Sequence, residues 1–471
     1  MALFATDYLV VGAGAAAMAF VDTLLAEDPQ ARVLMVDKRG HVGGHWNDAY
    51  SFVRLHQPAA WYGVASRELA AWSQEPRGPN KGMFSLASGP EVLAHFEAVM
   101  RDHFLPSGRV EWLPKTEYLG SEAGVHSLRS LVTGEAHEVR TQRRLVYAAH
   151  ANTEIPSTHP PRYEVGARVR CIPPNELPRV DRPYARYTVV GSGKTGMDAC
   201  IWLLDNGVAP QRIRWIMPRD AWLMNRANVQ PGPDGYERGM RNTIAQFEAI
   251  AQARDQRDLF RMLEERQVLM RIDPEVEPST YRCAIVSPGE LELLRRIRDV
   301  VRLGHVRALE STRILLERGT VEAHPDTLYV NCSAGAIQPA PKVPVFADDT
   351  INLLMVRWCQ PLFSAAVVAW VESHVEGDAA RNALCGVVPG PEAPLDWLRM
   401  WAITMRNGAA WSRNEAMQAW LRQCRLNGLA VMLKGVEITP AVKQLLQQVS
   451  DSSAAAAAKL PALMASVERK P

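Results

Sequence analysis

Gly12, Gly14 and Ala17 stand at the spacing Gly-x-Gly-x-x-small, and Gly191, Gly193 and Gly196 repeat it further along the chain. The first small residue permits a tight turn. The second lets backbone come up against a pyrophosphate, and the third lets the following helix pack on the preceding strand. The helix N-terminus then presents unpaired N–H groups and the positive end of its dipole to phosphate oxygens. Asp37 follows the first turn by about 20 residues, where a carboxylate can take both ribose hydroxyls, and Lys38 stands next to it. After the second turn the matching place reads Met217-Pro218-Arg219, with no acid before the base. An arginine there suits a 2′-phosphate. Lys194 adds positive charge inside the turn, beside Ser192 and Thr195. This turn is not a Walker A loop, because Thr188 stands where the first glycine is required.

These residues need strands before them and helices after them. Residues 7–11 and 187–190 read as short buried strands, each running into its glycine turn and then an apolar helix. Residues 32–37 and 212–217 supply the next strand of each β-α-β unit. Residues 89–104 carry helical spacing. The segments between Val110 and Val139 alternate like a small antiparallel meander, and 143–149 return to a buried strand. The proline-dense stretch from Pro156 to Pro183 marks a crossing between domains. Residues 236–272 and 290–302 are expected to be helical, 305–309 and 312–317 to be strands, and Leu328-Tyr-Val330 to be a strand that returns to the first domain. A helix is expected over 364–375, helices dominate from about 380, and the Ala-rich end from Asp451 is expected to fray. The predicted fold class is α/β: two Rossmann-like dinucleotide-binding domains with a small antiparallel insertion and a helical C-terminal region. The expected division is 1–183 for the first domain, 184–325 for the second with a helical insertion, 326–380 for the return segment, and 381–471 for the helical region.

The 471 residues are 47% hydrophobic and 22% charged with a net charge of +2, the composition of a globular enzyme with no pull toward nucleic acid or membrane. No apolar run reaches the roughly 18 residues of a membrane span, and Asp7 stands where a secretory leader would be basic, so a cytoplasmic location is expected. The seven cysteines are scattered, with no CxxC pair and no zinc spacing, and are expected to be reduced thiols. That argues against a disulfide reductase. His41 and His45 lie on a glycine-rich loop without further ligands, so no metal site is expected. A homodimer is the general expectation for such a chain.

Two dinucleotide turns imply two cofactors, and a flavin beside a nicotinamide is the common pairing, with hydride passing between them. With Gly43-Gly44-His45-Trp46 after Asp37, and Ser333-Ala-Gly335 closing the late strand, residues 5–375 resemble the two-dinucleotide-binding-domain flavoproteins, and among them the flavin-containing monooxygenase-like branch. The resemblance implies FAD on the first turn, with Gly44 and Trp46 along it and Gly335 near the flavin, and NADP on the second. It further implies a small organic substrate and molecular oxygen, with oxygen transfer through a flavin C4a-hydroperoxide. The segment 51–63 takes the place that approaches the flavin in the family. His56, Gln57 and Arg54 are its candidates: His56 to donate a hydrogen bond or shuttle a proton, Gln57 in place of the family's asparagine, and Arg54 to hold an anionic group. The family's FxGxxxH linker is absent, and the corresponding stretch from Tyr163 to Arg170 has no histidine. Other readings therefore stay open: a flavin halogenase using Lys81 or Lys115, a reductase or oxidase without oxygen insertion, and a flavin-binding redox sensor.

Overall fold

The computed structural model describes residues 2–150, 153–335 and 341–468. The strand Ala2–Val11 pairs in parallel with Val33–Val36 on one side and Ala136–Tyr147 on the other. Tyr8, Leu9 and Val10 are fully buried, as a central parallel strand covered on both faces requires. Val110–Leu113 adds to the far edge in parallel, and only Thr116–Glu122, Val125–Ser130 and the start of Ala136–Tyr147 form the antiparallel meander. Helix Ala15–Glu27 is apolar on all sides because it lies between this sheet and helix Pro361–His374, itself buried from Leu362 to Glu372.

The second sheet is wholly parallel, in the order Asp299–Val301, Ile213–Ile216, Arg186–Val190, Thr327–Asn331, Arg170–Ile172. Thr327–Asn331 was expected to re-enter the first domain, yet it lies inside the second sheet between Arg186–Val190 and Arg170–Ile172, every residue buried. An unbroken apolar strand suits either sheet equally, so its sequence does not choose between them. The chain returns to the first sheet later, where Thr350–Asn352 pairs with Leu145–Tyr147. The helix expected over 290–302 is also shorter: Pro288–Arg295 is helical, and Asp299–Val301 is the edge strand, its carboxylate held by Arg186 and Arg214.

The C-terminal region is helical, and its last helix runs from Pro440 to Glu468. Helix Pro440–Glu468 packs along Tyr236–Gln252, burying Ala456, Leu460 and Leu463. Trp397 and Trp401 of helix Pro394–Trp411 join Trp222, Phe247 and Phe260 in one aromatic core. Arg425 ties this region to the first domain by donating to the carbonyls of Ala60, Tyr62 and Val64. One cysteine expectation is overturned: Cys283 and Cys359 form a disulfide, with Cα atoms 6.3 Å apart, while the other five are free. The two are 76 residues apart, and the fold alone brings them together. No helix among the described residues is long and apolar enough to cross a membrane.

Candidate active site

Each glycine turn is built as its spacing demands. Gly12 and Gly191 have φ of 101° and 123°, open to glycine and closed to most side chains. Ala17 is buried against the first strand, and a Cβ on Gly196 would stand 2.1 Å from the Gly191 carbonyl oxygen, so helix and turn touch backbone to backbone. That oxygen also accepts a hydrogen bond from Trp215 Nε1 at 2.8 Å. The middle glycines differ. Gly14 (φ −75°, ψ 175°) and Gly193 (φ −75°, ψ 179°) hold angles that any residue adopts. A Cβ at Gly193 would meet nothing within 4 Å, and one at Gly14 only the Cα of Gly44, at 3.8 Å. Nothing in the protein's own packing requires glycine at either place. Both glycines stand at the N-cap of the helix that follows.

Asp37 is buried and accepts hydrogen bonds from the amides of Ala13 and Arg39, both at 2.8 Å. It thereby locks the first turn, and each carboxylate oxygen keeps a lone pair for another donor. Gly44 folds over the turn so closely that a Cβ there would reach 2.9 Å from the Gly14 Cα. Lys38 points elsewhere and pairs with Glu117 on the antiparallel insertion.

A cavity of about 1740 Å³ joins the two halves. Of the residues singled out in the sequence, Trp46, Arg54, His56, Gln57, Gly191, Ser192, Gly193, Lys194, Thr195, Arg219 and Gly335 line it. Gly12, Gly14, Ala17, Asp37, Lys38, Gly44 and Gly196 do not, and neither do Lys81 and Lys115. Trp46 donates to Tyr62 Oη at 2.8 Å and carries His45 stacked on its ring. Burial, with the nearby charge of Arg39, pushes His45 down to about 4. Arg54 is exposed and held by Glu75 at 2.9 Å. His56 accepts the Ile285 N–H on Nδ1 at 3.2 Å, which leaves Nε2 as its donor. Burial, then the charges of Lys194 and Arg226, push its pKa down to about 3. At that value the imidazole is neutral near pH 7 and offers Nε2–H as a hydrogen-bond donor.

On the second turn Ser192 donates to the Arg219 carbonyl at 2.7 Å. Lys194 pairs with Asp198, which also accepts from Tyr50 of the first domain at 2.7 Å. Arg219 and Arg282 share one exposed carboxylate, Glu392, at 3.6 and 3.3 Å, leaving a net positive patch beside the turn. Below it lies an ion pair the sequence reading missed. Arg226, without exposed surface, binds Glu290 and Asn80, each at 2.7 Å, and the carbonyls of His56 and Ile285. Burial pushes Glu290 up, but the charges of Arg226 and Lys194 outweigh it and hold the carboxyl at about 2. One signal was present: Ser287 and Glu290 are a capping box in sequence and in structure. Arg282, Arg357 and the Cys283–Cys359 disulfide also line the cavity and carried no local pattern.

Helices Tyr236–Gln252, Pro394–Trp411 and Pro440–Glu468 close the far side through Met240, Phe247, Trp401, Met405, Leu446 and Val449. The C-terminal helices thus cover one side of the cavity.

Residues 10–65 match the family model of the NAD(P)-binding Rossmann-like domain. The chain is 46% identical over 439 residues to an uncharacterized protein of Mycobacterium tuberculosis and to another of Mycobacterium bovis, covering 93% of this chain and 80% of theirs. Among solved structures, it is similar to an oxidized steroid monooxygenase bound to NADP (TM-score 0.51, 16% identity, 96% of this chain and 98% of that one). It is likewise similar to a polycyclic ketone monooxygenase from the fungus Thermothelomyces thermophila (TM-score 0.53, 11% identity, 96% and 89%).

Proposed function

The chain belongs to one family with these mycobacterial proteins and shares its fold with two-dinucleotide-domain monooxygenases; from that premise we propose that it is an FAD- and NADPH-dependent monooxygenase acting on a small organic substrate. One observation carries the reading. Gly14 and Gly193 have no packing reason to be glycine, and a dinucleotide pyrophosphate seated against each turn supplies the reason.

In this reading Gly12, Gly14 and Ala17 receive the FAD pyrophosphate and Asp37 its ribose, while Gly44 and Trp46 flank the flavin arm. Gly191, Ser192, Gly193, Lys194, Thr195 and Gly196 receive NADPH, and Gly335, in the cavity wall, lies toward the flavin. Arg219, with Arg282, takes the 2′-phosphate. Lys38 on the FAD side and Arg54 toward an anionic group would exchange their present partners, Glu117 and Glu75, for the ligand. FAD held by these residues would supply the redox chemistry, taking hydride from NADPH and activating oxygen. The chain's own part is to place and shield. His56 Nε2 donates into the cavity at fixed direction, Gln57 lies beside it, and the apolar helices exclude water.

Protein loaded with FAD is expected to bleach on anaerobic mixing with NADPH. Oxygen should then restore its colour with little free peroxide once a substrate is present. Failure to hold FAD at all would sink the proposal.

A second reading has one observation in its favour. The Cys283–Cys359 disulfide stands in the cavity wall, so a reductase without oxygen insertion could pass two electrons from NADPH through the flavin to that bond, with two protons giving two thiols. Thiol titration after anaerobic NADPH tests it: two new thiols per chain support the reductase, and none favours the oxygenase.

A further inference from the structure

Six lysines and arginines line the cavity: Arg54, Arg162, Lys194, Arg219, Arg282 and Arg357. Five have carboxylate partners: Glu75, Glu154, Asp198, and Glu392 for both Arg219 and Arg282. The two acids that line the cavity are already engaged, Asp48 by Arg39 and Asp198 by Lys194 and Tyr50. Arg357 is the remaining cation. Among the described residues no carboxylate lies within ion-pair distance of it, and its guanidinium rests 6.0 Å from the Trp411 ring centroid. Burial alone moves its pKa, down to about 10, so it stays charged at neutral pH.

Its surroundings are those of the cover, not of the phosphate turns. A guanidinium nitrogen lies 4.0 Å from where a Gly408 Cβ would be, on helix Pro394–Trp411. The same wall carries Phe363, Trp401 and Met405. The side chain is part-exposed to the cavity, and its guanidinium fork fits a carboxylate through two parallel hydrogen bonds.

We infer that Arg357 binds the anionic group of the substrate, and that the substrate is an amphipathic carboxylic acid: an apolar body under the C-terminal helices, with its carboxylate on Arg357. This deepens the proposed function, because it rests on the reading that the cavity is the substrate chamber. It assigns Arg357 to substrate positioning, and no bond is made or broken at it.

The test compares decanoate with decanol, equal in chain length and differing in charge. Binding to the FAD-loaded protein is measured by calorimetry without NADPH. Decanoate is expected to bind about tenfold or more tightly than decanol, the strength of one charge-assisted pair. R357Q should abolish that preference while leaving decanol affinity and FAD content unchanged, and R357K should retain part of it. Equal binding of the two probes, no binding of either, or a preference that survives R357Q overturns the inference. So does an R357Q protein that loses FAD, because Arg357 then serves the cofactor. The assay needs no turnover, so the two claims fail separately. A protein that prefers decanoate through Arg357 but never couples NADPH to oxygen defeats the monooxygenase reading and leaves this one standing.

Discussion

Gly193 and Gly196 belong to the same turn and ought to respond differently to a single methyl group. At Gly193 the methyl points into open space at an ordinary backbone angle, so Gly193→Ala should keep its thermal midpoint and raise the KM for NADPH about tenfold or more by blocking the pyrophosphate. At Gly196 the methyl meets the Gly191 carbonyl, so Gly196→Ala should lose about 1–3 kcal/mol of stability in urea unfolding. If both variants behave alike, the middle glycine has no ligand to explain it. Arg219→Ala should cost NADPH far more than NADH, read as a ratio of kcat/KM values, if the Arg219–Arg282 patch takes a 2′-phosphate. The His56 pKa falls from 6.5 to about 3 on folding, and the unfolded chain therefore binds protons that the native one refuses. Stability should decline as pH drops from about 6.5 toward 3, and His56→Gln, which can still accept the Ile285 N–H, should flatten that decline in urea midpoints. The turns were legible in the sequence because their constraints are local: spacing, a strand before and a helix after. Arg357 and the Cys283–Cys359 pair were not, since an arginine without a partner and two distant cysteines leave no mark on their neighbours in sequence.

At the scale of elements, the β-α-β units could be read from hydrophobic runs, and their assignment to sheets could not. Thr327–Asn331 shows why: its residues satisfy burial on both faces and say nothing about which two strands flank it. The segment 290–302 was misread because Leu291, Leu294 and Ile297 carry the helical period past the true end of the helix, while Val300 and Val301 were already strand formers. The Ser287 capping box is the legible part of a longer-range device, in which Glu290 caps its helix and also neutralises Arg226 under the loop that carries His56. Arg226→Met should leave Glu290 buried without its partner and lose about 3–5 kcal/mol by chemical denaturation. Adding Glu290→Gln should recover part of that loss, because a neutral amide needs no counter-ion.

For the whole molecule the cavity is a joint product: the first sheet, the second sheet and the C-terminal helices each own a wall. Composition excluded a membrane or nucleic-acid surface as the default, but the role of the C-terminal helices depended on contacts hundreds of residues apart. Arg425 is the clearest of these. Removing its side chain leaves the carbonyls of Ala60, Tyr62 and Val64 without their donor, so Arg425→Ala should speed hydrogen exchange over 60–64 while the central strands of both sheets remain protected.

That clamp also fixes an order of events during synthesis. A ribosome releases the first glycine turn and its strands early, and they can begin to pair while the rest is still being made. The residue that fastens loop 60–64 arrives more than 360 positions later. Until Arg425 has emerged, the nascent protein carries a first domain whose loop is unfastened and whose chamber has no cover. The sticky interval therefore falls late, in the time between the second sheet closing and the last helices docking.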